Sequence, residues 1–161
     1  MSLFSLRQSA LIRARRRGFK PAAGLALSVL LAACSGSPPA NLGVHDGRLA
    51  PCPDSPNCVN SQASDAQQRV EPLPLLGDAE QTRARLVAML ASEPRAQLVE
   101  QDTRYLRAEF SSRVFRFVDD VEFLIGEQAV EVRSASRLGY GDFGVNRQRI
   151  ERLRQRLGQR P

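Results

Sequence analysis

The 161-residue chain has no tryptophan and a single histidine, His45. That histidine lies in a Ser/Gly/Pro-rich stretch with no periodic apolar face, so no Ser-His-Asp set can be assembled around it. No phosphate-binding glycine loop and no dinucleotide-binding glycine motif occurs. No apolar run reaches the roughly 20 residues needed to cross a bilayer. Lysine is nearly missing too, and after Lys20 every basic residue is arginine.

What is present begins with an address. A basic stretch carries Arg7, Arg13, Arg15, Arg16, Arg17 and Lys20, and a short apolar run follows from Ala22 to Leu31. Small residues then lead into a cysteine, Leu31-Ala32-Ala33-Cys34. This is the layout of a signal peptide, and its end resembles the bacterial lipobox. The expectation is a signal peptide over 1–33, cleavage before Cys34, and lipid on the Cys34 thiol. Membrane attachment would then run through that lipid. Ser35, where an aspartate would retain the protein at the inner membrane, points by resemblance to the outer membrane and a periplasm-facing domain. Arg16-Arg17-Gly18-Phe19-Lys20 partly resembles a twin-arginine signal, so the export route stays open.

The apparent basicity belongs to the precursor. Six of the 23 bases and none of the 17 acids precede Cys34, which leaves 17 of each. A neutral mature chain gives no argument for a nucleic-acid partner. The charge is uneven, however. From Gly144 onward six arginines face Glu151 alone, a net of +5.

Cys52 and Cys58 remain as an even pair in an oxidising compartment, where a disulfide is the default. A metal site is the alternative, weakened by the C-x5-C spacing and by the placement of the lone His45 in the tether. No cofactor is implied.

The organisation follows from local signals. Residues 34–51 read as a lipidated flexible tether spanning roughly 20–25 Å, with His45 solvated in it. Residues 52–161 read as one domain. Pro51, Pro53 and Pro56 around the cysteines exclude a helix and point to a stapled loop. Asp78 and Gln81 form a capping-box pattern. Ala79, Thr82, Leu86, Met89 and Leu90 follow at helical spacing, and Pro94 ends the helix. From Ala96 to Ser136 the period changes to two. Leu106, Ala108 and Phe110 alternate with Tyr105, Arg107 and Glu109. Two further strands, 118–125 and 130–136, are joined at Gly126-Glu127, which suits a two-residue turn with glycine first. That register sets Val121 opposite Val132 and Asp120 opposite Arg133. A glycine-punctuated turn over 139–144 precedes a last helix with Ile150, Leu153 and Leu157 as its seam. The expected fold is α+β: about four antiparallel strands with an N-terminal and a C-terminal helix on one face.

Three stretches carry a family likeness. They are Cys52-Pro-Asp-Ser-Pro-Asn-Cys58-Val, Phe117-Val-Asp-Asp120-Val-Glu-Phe123, and Arg133-Ser-Ala-Ser-Arg137-Leu-Gly-Tyr140-Gly-Asp142-Phe-Gly144-Val-Asn146-Arg-Gln-Arg149. In this order they resemble the domain of unknown function 1499 family over nearly the whole chain after the tether. The resemblance implies a fold-level unit. It implies no activity and no catalytic residue.

The residues of interest are Asp119, Asp120, Arg133, Ser134, Ser136, Arg137, Tyr140, Asp142, Asn146 and Arg149. Each also has a plain structural reading, as a surface ion pair, a helix cap or a turn residue. Taken together they support a non-catalytic module in which Arg133, Arg137, Arg149 and Ser136 hold a phosphate, carboxylate or other envelope anion. A second reading is an enzyme or metal-binding protein using Asp119, Asp120 and Asp142. Adjacent strand residues point to opposite faces, so Asp119 and Asp120 share a site only at a bulge. A third is a structural lipoprotein whose Arg-rich last helix meets anionic lipid or a partner protein.

Overall fold

The computed structural model describes residues 36–159. The expected signal peptide, Cys34 and Ser35 lie outside them. No helix among the described residues is long and apolar enough to cross a membrane.

Among the described residues, eight strands and two helices follow in the order β1 (Val44–His45), β2 (Arg48–Leu49), β3 (Cys58–Asn60), β4 (Leu73–Pro74), α1 (Ala79–Ala91), β5 (Ala96–Gln101), β6 (Tyr105–Ser111), β7 (Val118–Ile125), β8 (Ala129–Ser136) and α2 (Val145–Gly158). The fold is α+β. Its main sheet has six strands, in the order β3-β8-β7-β6-β5, with β4 also pairing β8. The four expected strands are β5 to β8. The two additional strands share the outer edge of β8: Cys58–Asn60 pairs with Arg133–Ala135, and Leu73–Pro74 with Ala129–Val130. They are three and two residues long, too short to show a period of two.

α1 starts where the capping box places it. The Asp78 carboxylate accepts the Gln81 N–H at 2.8 Å, and the Gln81 side chain accepts the Asp78 N–H at 3.3 Å. Thr82, Leu86, Met89 and Leu90 are its buried stripe. Together with Ile150, Leu153 and Leu157 of α2 they cover one sheet face, closing on Leu106, Val121, Phe123, Ile125, Val130 and Val132. Both helices therefore lie on the same side of the sheet.

The β7–β8 register differs from expectation by two residues. Val121 pairs with Ser134, Phe123 with Val132, and Glu122 with Arg133. The hairpin turns about Glu127-Gln128, closed by the Gly126 N–H on the Ala129 carbonyl at 2.9 Å. Gly126 is absent from the positive-φ glycines among the described residues, so the glycine-first turn does not form. A two-residue shift keeps every side chain on its own face. Alternation alone rules out only odd slips.

The stretch expected as a tether also differs. Residues 36–50 pack across the second face of the sheet, opposite the helices. β1 and β2 pair as a small hairpin around Asp46-Gly47, both at positive φ (50° and 74°), the conformation of a type I′ turn. Leu49 and Ala50 are buried. The Gly43 N–H reaches the Glu122 carboxylate at 2.8 Å, and Asn60 Nδ2 donates to the Ala50 carbonyl at 2.9 Å. His45 is exposed, as expected, but as part of β1.

Candidate functional site

The residues expected to converge are divided between the two sheet faces. The cause is the alternation of side chains along β7 and β8.

Asp119, Ser134 and Ser136 face the helices. There they meet Asn146 and Arg149 of α2. Arg149 pairs with Asp119, donates to Ser134 Oγ at 3.0 Å, and stacks its guanidinium over the Phe110 ring at 4.9 Å. Burial pulls the Arg149 pKa below its ordinary value. Asp119 opposes that shift, and the neighbouring Arg152 charge adds to it. Ser134 Oγ donates to Asn146 Oδ1 at 2.6 Å, and Asn146 Nδ2 donates to the Asn57 carbonyl at 3.0 Å. Asp142 acts as a cap from outside the helix. Its carboxylate accepts the N–H groups of Gly144 (2.9 Å) and Asn146 (2.8 Å), while Gly144, at φ 78°, occupies the cap position with no side chain to offer. These residues hold the start of α2 onto β8 and onto the disulfide loop. Cys52 and Cys58 are joined as expected, with Cα atoms 5.6 Å apart.

Asp120, Arg133 and Arg137 lie on the second face, under residues 36–50. Asp120 sits between two arginines. Arg137 reaches it at 2.7 and 2.8 Å, and Arg107 at 3.0 Å. Glu109 also contacts both arginines. The expected Asp120–Arg133 pair is not formed. In the true register Arg133 pairs with Glu122 at 2.9 Å, and Glu122 also accepts the Tyr105 hydroxyl at 2.9 Å. Burial, followed by the Glu122 charge and hydrogen bond, raises the Tyr105 pKa far above its ordinary range. Arg133 Nε is the one buried side-chain polar atom left without a partner among the described residues. The alternation had separated Tyr105, Arg107 and Glu109 from the apolar side. Nothing in it showed that their face would be covered. The Asp46-Gly47 turn pair was the available signal.

Arg133, Arg137 and Arg149 therefore do not converge on one anion. Each is matched to a carboxylate, and Arg149 is on the opposite face from the other two. Tyr140 joins neither group and is 77% exposed. Asp119, Asp120 and Asp142 likewise share no site. Among the described residues, no three His, Cys, Asp or Glu side chains are grouped to hold a metal.

Sequence reasoning missed a cleft beside Arg149. It has a volume of about 340 Å³ and lies between the start of β5, the β6–β7 loop and α2. Arg95, Arg113, Arg149 and Arg152 line it, with Ser111 and Ser112, and Asp119 is its only acid. Arg95, Arg113 and Arg152 are exposed at its rim.

Most arginines of α2 are engaged elsewhere. Arg147 donates to the carbonyls of Gln67 and Arg69, Arg154 pairs with Glu151, and Arg156 pairs with Glu93.

No curated protein and no solved structure matches the chain. Residues 48–157 match the family described as "Protein of unknown function (DUF1499)", and the chain belongs to that family.

Proposed function

We propose that the protein is a lipid-anchored, non-catalytic module of the cell envelope that binds a small anion in the Arg95–Arg113–Arg149–Arg152 cleft. The observation that carries this reading is the charge of that cleft: four guanidinium groups against one carboxylate. Asp119 is already matched to Arg149. Arg113 and Arg152 make no ion pair among the described residues. Forked guanidinium donors and two serine hydroxyls suit a phosphate or carboxylate. Arg133 and Arg137 drop out of the binding set. Arg149 remains, as the floor of the cleft.

The carboxylates of the enzymatic alternative do not converge as that reading needs: Asp120 is on the second face with Arg107 and Arg137, while Asp119 and Asp142 are bonded to Arg149 and Asn146 at the start of α2. The reading in which the last helix faces the membrane is less favoured, since Arg147, Arg154 and Arg156 donate to neighbouring segments: the Arg69 carbonyl, the Pro72 carbonyl and Glu93.

Two experiments test the proposal. Phosphate titrated at constant ionic strength should raise the melting temperature of wild type, and Arg113→Ala/Arg152→Ala should abolish the rise. An equal rise in that variant contradicts the cleft. For the anchor, inhibiting the lipoprotein-specific signal peptidase should leave full-length precursor in the membrane. Processing and release of Cys34→Ala as efficient as wild type contradicts lipidation.

A further inference from the structure

Eight large apolar side chains are exposed among the described residues, and their placement is not random. Val114, Phe115 and Phe117 sit on the β6–β7 loop, and Leu138, Tyr140 and Phe143 on the β8–α2 loop. Phe115 is 69% exposed and Phe143 fully so. Both loops leave the same end of the sheet. Ser111 pairs with Val118 where the first loop closes, Asp119 pairs with Ser136 beside it, and the Arg137 N–H bonds the Val118 carbonyl at 3.1 Å. A concentration of exposed apolar side chains at one end of a small domain marks a contact surface.

The backbone at this end is strained to present these groups. Phe143 and Arg116 have φ of 55° and 54°, a region that bulky side chains rarely occupy and that glycine takes at no cost. Such strain persists where surrounding structure holds it, and it gathers at sites of function. Arg113 and Arg116 are exposed on the same loop as Phe115. Basic side chains flanking exposed aromatics match an anionic headgroup layer over an acyl boundary.

The chain itself says which surface meets this end. Gly36 packs here: a Cβ built on it would lie 3.3 Å from both Arg137 Cβ and Leu138 Cγ, and Arg137 donates to the Gly36 carbonyl at 3.3 Å. Cys34 is two residues earlier, and two residues span at most about 7 Å. Lipid on Cys34 would enter the bilayer beside these loops.

We infer that the two loops are a membrane-docking tip, with Phe115, Phe117 and Phe143 seated at the acyl boundary and Arg113 and Arg116 on anionic headgroups. The choice of a bilayer as occupant rests on the lipidation of Cys34. The tip shares Arg113 with the small-anion cleft, but its aromatic contacts, Phe115, Phe117 and Phe143, lie outside that cleft. Docking by the tip also holds the domain in one orientation, with the long hairpin end away from the membrane.

The test uses the mature chain with Cys34→Ser, which removes the acyl acceptor and leaves all described residues intact. It is sedimented with vesicles of phosphatidylglycerol and phosphatidylethanolamine, and with vesicles of phosphatidylcholine. This Cys34→Ser parent, the wild type of the comparison at every described residue, should bind the anionic vesicles better, and less tightly as salt rises. Phe143→Gly should lower the partition at least about tenfold with the melting temperature unchanged or raised, because glycine relieves the backbone. Phe115→Ser/Phe117→Ser should act alike. Vesicle binding equal to wild type in both variants overturns the inference, as does a wild type that ignores both vesicle types. A soluble dimer abolished by the same substitutions also overturns it, since the tip would then bury a second copy. If the phosphate-induced rise in melting temperature survives while vesicle binding is absent, the docking tip fails and the anion cleft stands.

Discussion

Arg137 grips Asp120 through two parallel hydrogen bonds, Nε to Oδ2 at 2.7 Å and Nη2 to Oδ1 at 2.8 Å. The pair lies inside the protein. The Asp120 side chain is 1% exposed and that of Arg137 5%. The hydrogen bonds to Asp120 raise the Arg137 pKa above its ordinary value, against the opposing effect of burial and with help from Glu109. Asp120, Arg133 and Arg137, part of the residue combination that looked most like a ligand site, are therefore matched to internal ion partners on the second face. The strap of residues 36–50 covers the Arg137 end of the Asp120 network, where Arg137 donates to the Gly36 carbonyl, while Glu109 at the other end stays part-exposed.

Breaking that network from its centre should be costly. Asp120→Ala strips Arg107 and Arg137 of their buried partner and leaves both to Glu109 at the edge of the network, which costs about 3 kcal/mol, the low end for breaking a buried pair. Arg107→Ala should cost less, because Arg137 still holds Asp120. Replacing both members of the central pair, as Asp120→Leu/Arg137→Met, should recover much of the loss. Urea unfolding of the three variants checks the order. An Asp120→Ala variant as stable as wild type would show that the network is not closed.

The Tyr105 phenol sets an alkaline limit. Its pKa is raised well above the ordinary 10.0 in the folded state, so the folded protein holds that proton more tightly than the unfolded chain does. The stability linked to this proton is complete below pH 10 and falls as pH rises beyond it. Melting temperatures measured upward from about pH 9 should drop for wild type, and the drop should shrink in Tyr105→Phe. In Tyr140→Phe, which leaves Tyr105 as the only phenol, ultraviolet titration should show no ionisation until the protein unfolds.

The Cys52–Cys58 bridge closes a short loop, and its loss should cost about 2 kcal/mol by loop entropy. Since Asn57 in that loop anchors Asn146 of α2, Cys52→Ser/Cys58→Ser should also loosen the helix start. Amide exchange of Asn146 compared with that of Leu90 in α1 measures this. Equal protection of both amides in oxidised and reduced protein would contradict the coupling.

The sequence made some elements plain and hid others for identifiable reasons. α1 was legible because Asp78, Gln81 and the Thr82–Leu86–Met89–Leu90 stripe are local signals. The same holds for the alternating strands from Tyr105 to Ser136. The β7–β8 register was not, because a shift of two leaves Val121 and Phe123 on the same face. β3 and β4 were hidden by their shortness, and they exist only through the edge of β8. The cleft was hidden for a different reason. Arg95, Arg113 and Arg152 come from three separate segments, and only the folded chain brings them to Arg149.

The most direct test of the account follows the guanidinium Nε resonances of a 15N-labelled protein as phosphate is added. Arg95, Arg113, Arg149 and Arg152 should shift together with a single binding constant, while Arg133 and Arg137, enclosed on the second face, stay still. Shifts at Arg133 and Arg137 with none at Arg113 and Arg152 would contradict it.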